Sequence, residues 1–404
     1  MARDSAPTAS TPFLPIAGVT FLASMGTGVL WNGIGFIAKS TFAYGPVANF
    51  SLLFAFGVAY VLVAANAGRV IRTFEDRLSA RTVLTFVFLA QALIAPVVLF
   101  RTEWSMWLAG CGVSALSALQ WPIIEAYIAG GRDQANMRST IGRWNVTWMS
   151  AVWLGVAGLG PLLTGERALG AILLLAPLNV GCAILLRWFR AVPGEHLEEH
   201  HGTAPTAYPP LLASVRMLLP LGYVVASAIS AIVPFLVERV GATPAWVTPL
   251  AATWLATRLV AVVLLWTTRG WHGRWTPLVV AGLLCPLGFA IAVFAPTPFL
   301  VGLGLGLFGL GQGAIYYMAI YYAMAVGKAE VDAAGTHEAL IGLGYAVGPL
   351  VGIASYGLTA TERNGDIAFV ASMLALLALG SIPAITPYRV WRRSQRAASP
   401  AADR

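Results

Sequence analysis

The sequence predicts an all-α polytopic membrane protein, with twelve transmembrane helices arranged as two six-helix bundles, and three observations carry that reading. Of the 404 residues, 58% are hydrophobic and 10% are charged, and the mean hydropathy is +0.75. So few charges cannot solvate a globule in water, which leaves lipid as the solvent for most of the chain and sets aside soluble enzyme folds. Second, a run of about 20 apolar residues crosses about 30 Å of hydrocarbon at about 1.5 Å per residue, and such runs occur twelve times. Third, the longest polar interruption, 187–216, separates six runs from six.

In order, the predicted spans are 13–38, 48–68, 82–100, 106–128, 144–164, 168–188, 217–237, 246–266, 277–295, 299–325, 338–358 and 367–386. The apolar run after Met1 to Ser10 is too long for a cleavable leader, so it reads as the first span. Pro46, Pro244, Pro296, Pro298 and the run Thr361 to Gly365 mark short turns, where backbone groups reach water. Cys111, Cys182 and Cys285 each sit inside an apolar run and read as small hydrophobes, with no disulfide or zinc framework. The predicted organisation is an N-terminal bundle at 1–190, a cytoplasmic loop at 191–216, and a C-terminal bundle with a basic tail at 217–404.

Orientation follows from the 25 basic residues, because cytoplasmic loops retain Lys and Arg. With both termini placed in the cytoplasm, Lys39, Arg101, Arg167, Arg239 and Arg363 fall outside, Arg258 falls within a span, and the other nineteen fall inside. The net charge of +8 is therefore a topology signal and not a sign of nucleic-acid binding. A multi-pass plasma-membrane protein, monomeric in lipid, is the expectation.

Two short matches relate the halves. Gly160-Pro161-Leu162 recurs as Gly348-Pro349-Leu350 at an offset of 188, and Gln120 recurs as Gln312 at an offset of 192. Duplicated halves about an axis along the membrane normal would give this pattern. The connection after the second span reads Asp76, Arg77, Leu78, Ser79, Ala80, Arg81, and the fifth span ends in Gly160, Pro161, Leu162, Leu163, Thr164, Gly165. With these features the chain resembles the major facilitator superfamily of secondary transporters over essentially its whole length. The family's loop reads Gly-x-x-x-Asp-Arg-x-Gly-Arg-Lys. Here Gly68 stands eight residues before Asp76, and Ser79 and Ala80 replace a Gly and an Arg. The fifth-span ending is similar to the signature of the family's antiporter branch, with Thr164 in place of a Gly. The resemblance implies two halves rocking about a midplane site, with the first, fourth, seventh and tenth spans lining the cavity.

Charge inside a membrane is costly, so each ionisable group there is a functional candidate. Glu125 is open to two roles: a carboxylate that couples protons or touches substrate, or an inner-end ion pair with Arg143 at the start of the next span. Glu338, preceded by His337, is open to proton handling or to an end-of-helix pair favoured by the helix dipole. Arg258 cannot discard its charge, so it must meet substrate, Glu338 or a hydrated cavity. Candidate substrate contacts are Trp31 and Asn32 on the first span, Gln120 and Trp121 on the fourth, and Gln312, Tyr316 and Tyr317 on the tenth, with Ser227 and Ser230 on the seventh. Aromatic walls with a few amides suit an amphipathic or ring-bearing organic molecule and not an inorganic ion. The alternative for these rings is packing or an interfacial belt.

His196-Leu197-Glu198-Glu199-His200 has the spacing of an inverted zinc-peptidase motif, but a short polar loop flanked by Pro193, Pro205, Pro209 and Pro210 lacks a third ligand and a cavity. It reads as solvated linker. No cofactor, metal or enzymatic activity is expected. The expected function is secondary transport of a small organic solute, with protons as the candidate coupled ion and export favoured. A transporter-like receptor, scaffold or partner subunit is the alternative.

Overall fold

The structure, a computed structural model, describes residues 10–74, 77–132, 134–163, 167–194, 205–326 and 331–398. Helix α1 runs Phe13–Thr27, passes through a π-helical turn at Gly28–Asn32 and continues as Ile34–Phe42. It is followed by α2 (Pro46–Phe74), α3 (Ala80–Ile94, with a 3-10 extension Ala95–Phe100), α4 (Glu103–Ala129), α5 (Gln134–Ala157) and α6 (Gly170–Leu173 with Leu175–Leu185). The second half comprises α7 (Tyr208–Arg239), α8 (Pro244–Ala251 with Thr253–Thr267), α9 (Thr276–Phe294), α10 (Pro298–Ala325), α11 (Val331–Gly357) and α12 (Glu362–Ala398). Among the described residues there is no strand, because in hydrocarbon only a helix or a closed barrel satisfies its own backbone.

Eleven of these helices are long and apolar enough to cross a membrane. The remaining one, α5, is long enough but more polar, since Arg143, Asn145 and Thr147 dilute its apolar residues. Hydropathy shifts its reading from 134–157 to 144–164. The helix ends before Pro161, where the chain turns as a 3-10 segment, Gly160–Leu162. Similarly, α7 begins at Tyr208, well before 217, and Pro209 and Pro210 open that helix, at positions where no backbone donor is needed. The tail of α12 continues helical to Ala398, past 386, because hydropathy does not register turns that leave the lipid. Arg3, Asp76, Thr164, Gly165, the His196 to His200 motif and Lys328 lie outside the described residues, as does the side chain of His337.

In the N-terminal half α1 packs on α5 and α6, while α4 packs on α2 and α3. In the C-terminal half α10 packs on α8 and α9, and α7 packs on α11 and α12. The halves meet along two antiparallel seams, α2 with α11 and α5 with α8. A shift of six helices converts one seam into the other, as duplicated halves require. Glycines permit the close approach: a Cβ on Gly57 would stand 2.6 Å from the backbone of Tyr345, and one on Gly142 would stand 2.3 Å from the Trp266 indole nitrogen. In lipid such small-residue contacts replace the hydrophobic drive that holds soluble helices together.

The side away from the termini is tied across the halves. Lys39 pairs with Glu238, the Asn49 amide donates to the carbonyls of Gly35 (3.1 Å) and Ala231 (3.3 Å), and the Gly160 amide donates to Thr248 Oγ1 at 3.1 Å. Within the C-terminal half, Arg239 pairs with Asp366 and donates to the Val293 carbonyl (2.5 Å), and Tyr356 donates to Asp366 at 2.5 Å. On the side of the termini, Arg132 donates to the carbonyls of Tyr127 and Ile128 at 2.8 Å each and to that of Thr11 at 2.6 Å. Arg81, from the loop sequence discussed above, donates to the Phe189 carbonyl at 3.0 Å and so ties α3 to the end of α6.

The seam predicts the effect of one methyl group. Gly57→Ala is expected to lower stability by about 1–3 kcal/mol through overpacking, whereas Gly170→Ala, whose Cβ meets nothing within 4 Å, should stay within about 0.5 kcal/mol. Thermal denaturation in detergent micelles compares them, and equal midpoints for the two variants would contradict a close α2–α11 contact.

Candidate functional site

The π turn at Gly28–Asn32 places Trp31 between the halves. The Gly33 amide reaches back to Gly28 at 3.0 Å, which inserts one extra residue into the turn. Such insertions are frequent at functional sites. Trp31 stacks on Tyr345 of α11 with ring centroids 4.3 Å apart and presents its edge to Tyr60 of α2 at 5.8 Å. Tyr60 donates to the Glu338 carboxylate, a short hydrogen bond that crosses the α2–α11 seam, and Glu338 is buried.

On the other seam lies Arg258, 4% exposed. Its Nη2 donates to the Tyr223 hydroxyl at 2.8 Å. The guanidinium carbon lies 4.6 Å from the ring centre of Trp148, 4.9 Å from that of Tyr316 and 5.4 Å from that of Tyr223. Cation–π attraction is worth up to about 2 kcal/mol at a desolvated site. Trp148 and Tyr316 also meet edge to face at 5.5 Å, which joins α5 to α10 across the halves. Gly313 makes this possible, since a Cβ there would stand 2.5 Å from the Arg258 carbonyl.

Two of the candidate ion pairs do not form. Glu125 does not pair with Arg143: the Arg143 guanidinium projects outward and lies over the Phe13 ring at 5.0 Å, while Glu125 is half-buried on the inner face of α4 as an electrostatic neighbour of Glu338. Sharing one side of the membrane did not fix the angle at which each residue leaves its helix. Arg258 likewise does not pair with Glu338. The aromatic rings and Tyr223 take its charge, and Tyr60 takes that of Glu338.

The uncharged candidates divide. Trp31 and Tyr316 reach the centre. Gln312 is 1% exposed, and neither its carboxamide oxygen nor its nitrogen has a hydrogen-bond partner. Gln120 turns into the N-terminal bundle, accepts from Gln91 Nε2 at 3.2 Å and borders an enclosed space of about 10 Å³, room for about one water. Tyr317 faces Trp271 at 6.1 Å inside the C-terminal half. Asn32 accepts from Ser230 at 2.9 Å, and Ser227 donates to the Gly344 carbonyl at 3.0 Å, so both serines bind helices together. Trp121 is half-buried and packs against the hydrophobic core.

Tyr60, Tyr223 and Tyr345 were not anticipated. Tyr60 and Tyr345 lie on α2 and α11, outside the helices that the resemblance assigns to the cavity, and Tyr223 was visible as the aromatic nearest the centre of its span. Glu125, Trp148 and Tyr345 are half-buried although they lie between the bundles. The arrangement offers one cation, two carboxyls, a buried carboxamide and six aromatic rings along the two seams.

No protein-family model and no curated protein relative matches the sequence. Solved structures do. The nucleoside transporter NupG superposes with a TM-score of 0.63 at 16% identity, covering 93% of this chain and 98% of that one. The human organic anion transporter MFSD10 gives 0.62 at 16%, covering 92% and 98%. The E. coli fucose:proton symporter FucP gives 0.58 at 14%, covering 93% and 98%. Twelve helices in two bundles, joined along α2–α11 and α5–α8, therefore make this chain a multi-pass membrane protein with the major facilitator fold.

Proposed function

We propose that this protein is a secondary transporter of a small organic solute, working by alternating access. The observation that supports the reading is the burial of a charged, aromatic-lined centre between two bundles, so that parting either end of the seams connects it to one side of the membrane. The moving bodies are 1–190 and 217–404, linked through 191–216. Proteins of this fold bear names that refer to nucleosides, organic anions, and fucose with protons, which supports a solute of that general size. The rings of Trp31, Trp148, Tyr316 and Tyr345 favour an amphipathic or ring-bearing one. Glu125 and Glu338 are the proton-coupling candidates, and the ending of the fifth helix favours export. Purified protein in liposomes tests the reading: failure to move any solute, with or without a pH gradient, while the protein stays folded would sink it.

Coupling has its own test. A carboxyl that carries the coupled proton is expected, when changed in Glu125→Gln or Glu338→Gln, to lose gradient-driven accumulation while retaining solute exchange. Uptake and counterflow assays separate the two, and normal accumulation by both variants means that neither couples protons.

For orientation, both termini are placed in the cytoplasm of a plasma membrane. In a cysteine-free background, a membrane-impermeant maleimide applied to intact cells should label Thr361→Cys and spare Ser394→Cys. The reverse pattern would invert the topology.

A further inference from the structure

The centre holds a cation whose hydrogen-bond donors its own side chains do not all meet. Among the described residues no carboxylate lies within 4.0 Å of Arg258, and Arg258 is the one basic residue in the middle of a predicted span, Arg187 standing at the very end of its own. Its Nε is buried and has no hydrogen-bond partner, and the Gln312 carboxamide lies beside the Tyr223 hydroxyl without making a hydrogen bond of full geometry. These groups adjoin: Tyr223 accepts from Arg258, and a Cβ on Gly222, the residue before it, would touch Gln312 at 3.4 Å. A buried cation and a buried amide with unmet donors are costly to leave dry. The unmet Nε and amide N–H donors therefore call for an acceptor, and the guanidinium beside them favours one that carries a negative charge.

The geometry points to an organic anion as the solute: a planar, ring-bearing monocarboxylate whose carboxylate is received by Arg258 and Gln312 while its ring packs among Trp148, Tyr223 and Tyr316. This deepens the transport reading and rests on it. One guanidinium with one carboxamide balances a single charge, whereas a doubly charged phosphate would need a second cation, and no other basic residue lies in the middle of a predicted span. The guanidinium fork matches a carboxylate in geometry. An organic cation held by Glu125 or Glu338 is the rival. It fits less well, because Glu338 already has Tyr60 as a hydrogen-bond partner, whereas Arg258 keeps an Nε donor with none.

The full-length protein in lipid nanodiscs provides the test. Thermal shift and titration calorimetry with benzoate, 2-naphthoate and indole-3-carboxylate are compared with the corresponding amides and with benzylamine. The carboxylates are expected to stabilise the protein in a saturable way, and the amides and amine are not. Arg258→Gln should abolish the shift, and Arg258→Lys, which keeps the charge without the fork, should weaken binding by about tenfold or more. Should Arg258→Gln fail to fold, Gln312→Leu carries the test, with a similar loss of carboxylate affinity expected. The proposal is overturned if no carboxylate binds, if amides or amines bind as well as carboxylates, or if the folded variants keep wild-type affinity. Transport of a cation or neutral solute in liposomes would overturn it while leaving the transport reading intact. No transport of any solute would remove that reading itself.

Discussion

Lipid forms no hydrogen bonds, and most features of this molecule follow from that constraint. Every crossing segment must close its own backbone ladder, so the described chain is helical wherever it crosses. The same solvent removes the usual reason for helices to associate, since a leucine is as comfortable among acyl chains as among other leucines. What remains is close packing and a few polar contacts. The seams show both: Gly57 and Gly142 bring backbones and rings together, and Asn49 and Thr248 supply hydrogen bonds at the end remote from the termini. An interface of this kind has little hydrophobic energy to lose on opening, which suits two bundles that rock.

Burying Arg258 costs several kcal/mol even after relaxation. An ion pair would be the expected remedy, yet the structure uses three aromatic faces and one tyrosine hydroxyl. Up to about 2 kcal/mol per desolvated cation–π contact brings the sum to the scale of the penalty, without a carboxylate that would compete for an incoming anion. Glu338 follows the same logic from the opposite sign, with its charge met by the Tyr60 hydroxyl.

Much of the architecture was legible because hydropathy reports the solvent directly. Twelve runs, the six-and-six division and the isolation of Arg258 could all be read in one dimension. Boundaries failed where a helix carries polar turns: α5 is diluted by Arg143 and Asn145, and α7 opens on Pro209 and Pro210, which look like loop residues until their backbone donors are counted. The site was less legible, because depth along a helix does not give the angle around it. Glu125 and Arg143 share a side yet diverge. Gln120 and Gln312 occupy related places in the two halves, but Gln120 finds Gln91 on α3 and Gln312 finds no partner. Tyr60 and Tyr345 carry no local signal, since their importance arises from packing between α2 and α11.

That divergence within a duplicated scaffold bears on mechanism. The two seams are equivalent in topology, and each carries one buried charge met from the opposite half: Glu338 by Tyr60 on α2, Arg258 by Trp148 on α5. Parting α2 from α11 therefore removes the hydroxyl from the acid, and parting α5 from α8 removes an aromatic face from the base. If the bundles move as bodies, as proposed above, the two losses occur together and leave one group of each sign short of a partner. Reclosing in lipid requires that both be met again, the acid by a proton or its tyrosine and the base by an anion or its ring. A scaffold built from two similar halves thus places opposite charges on its two equivalent joints.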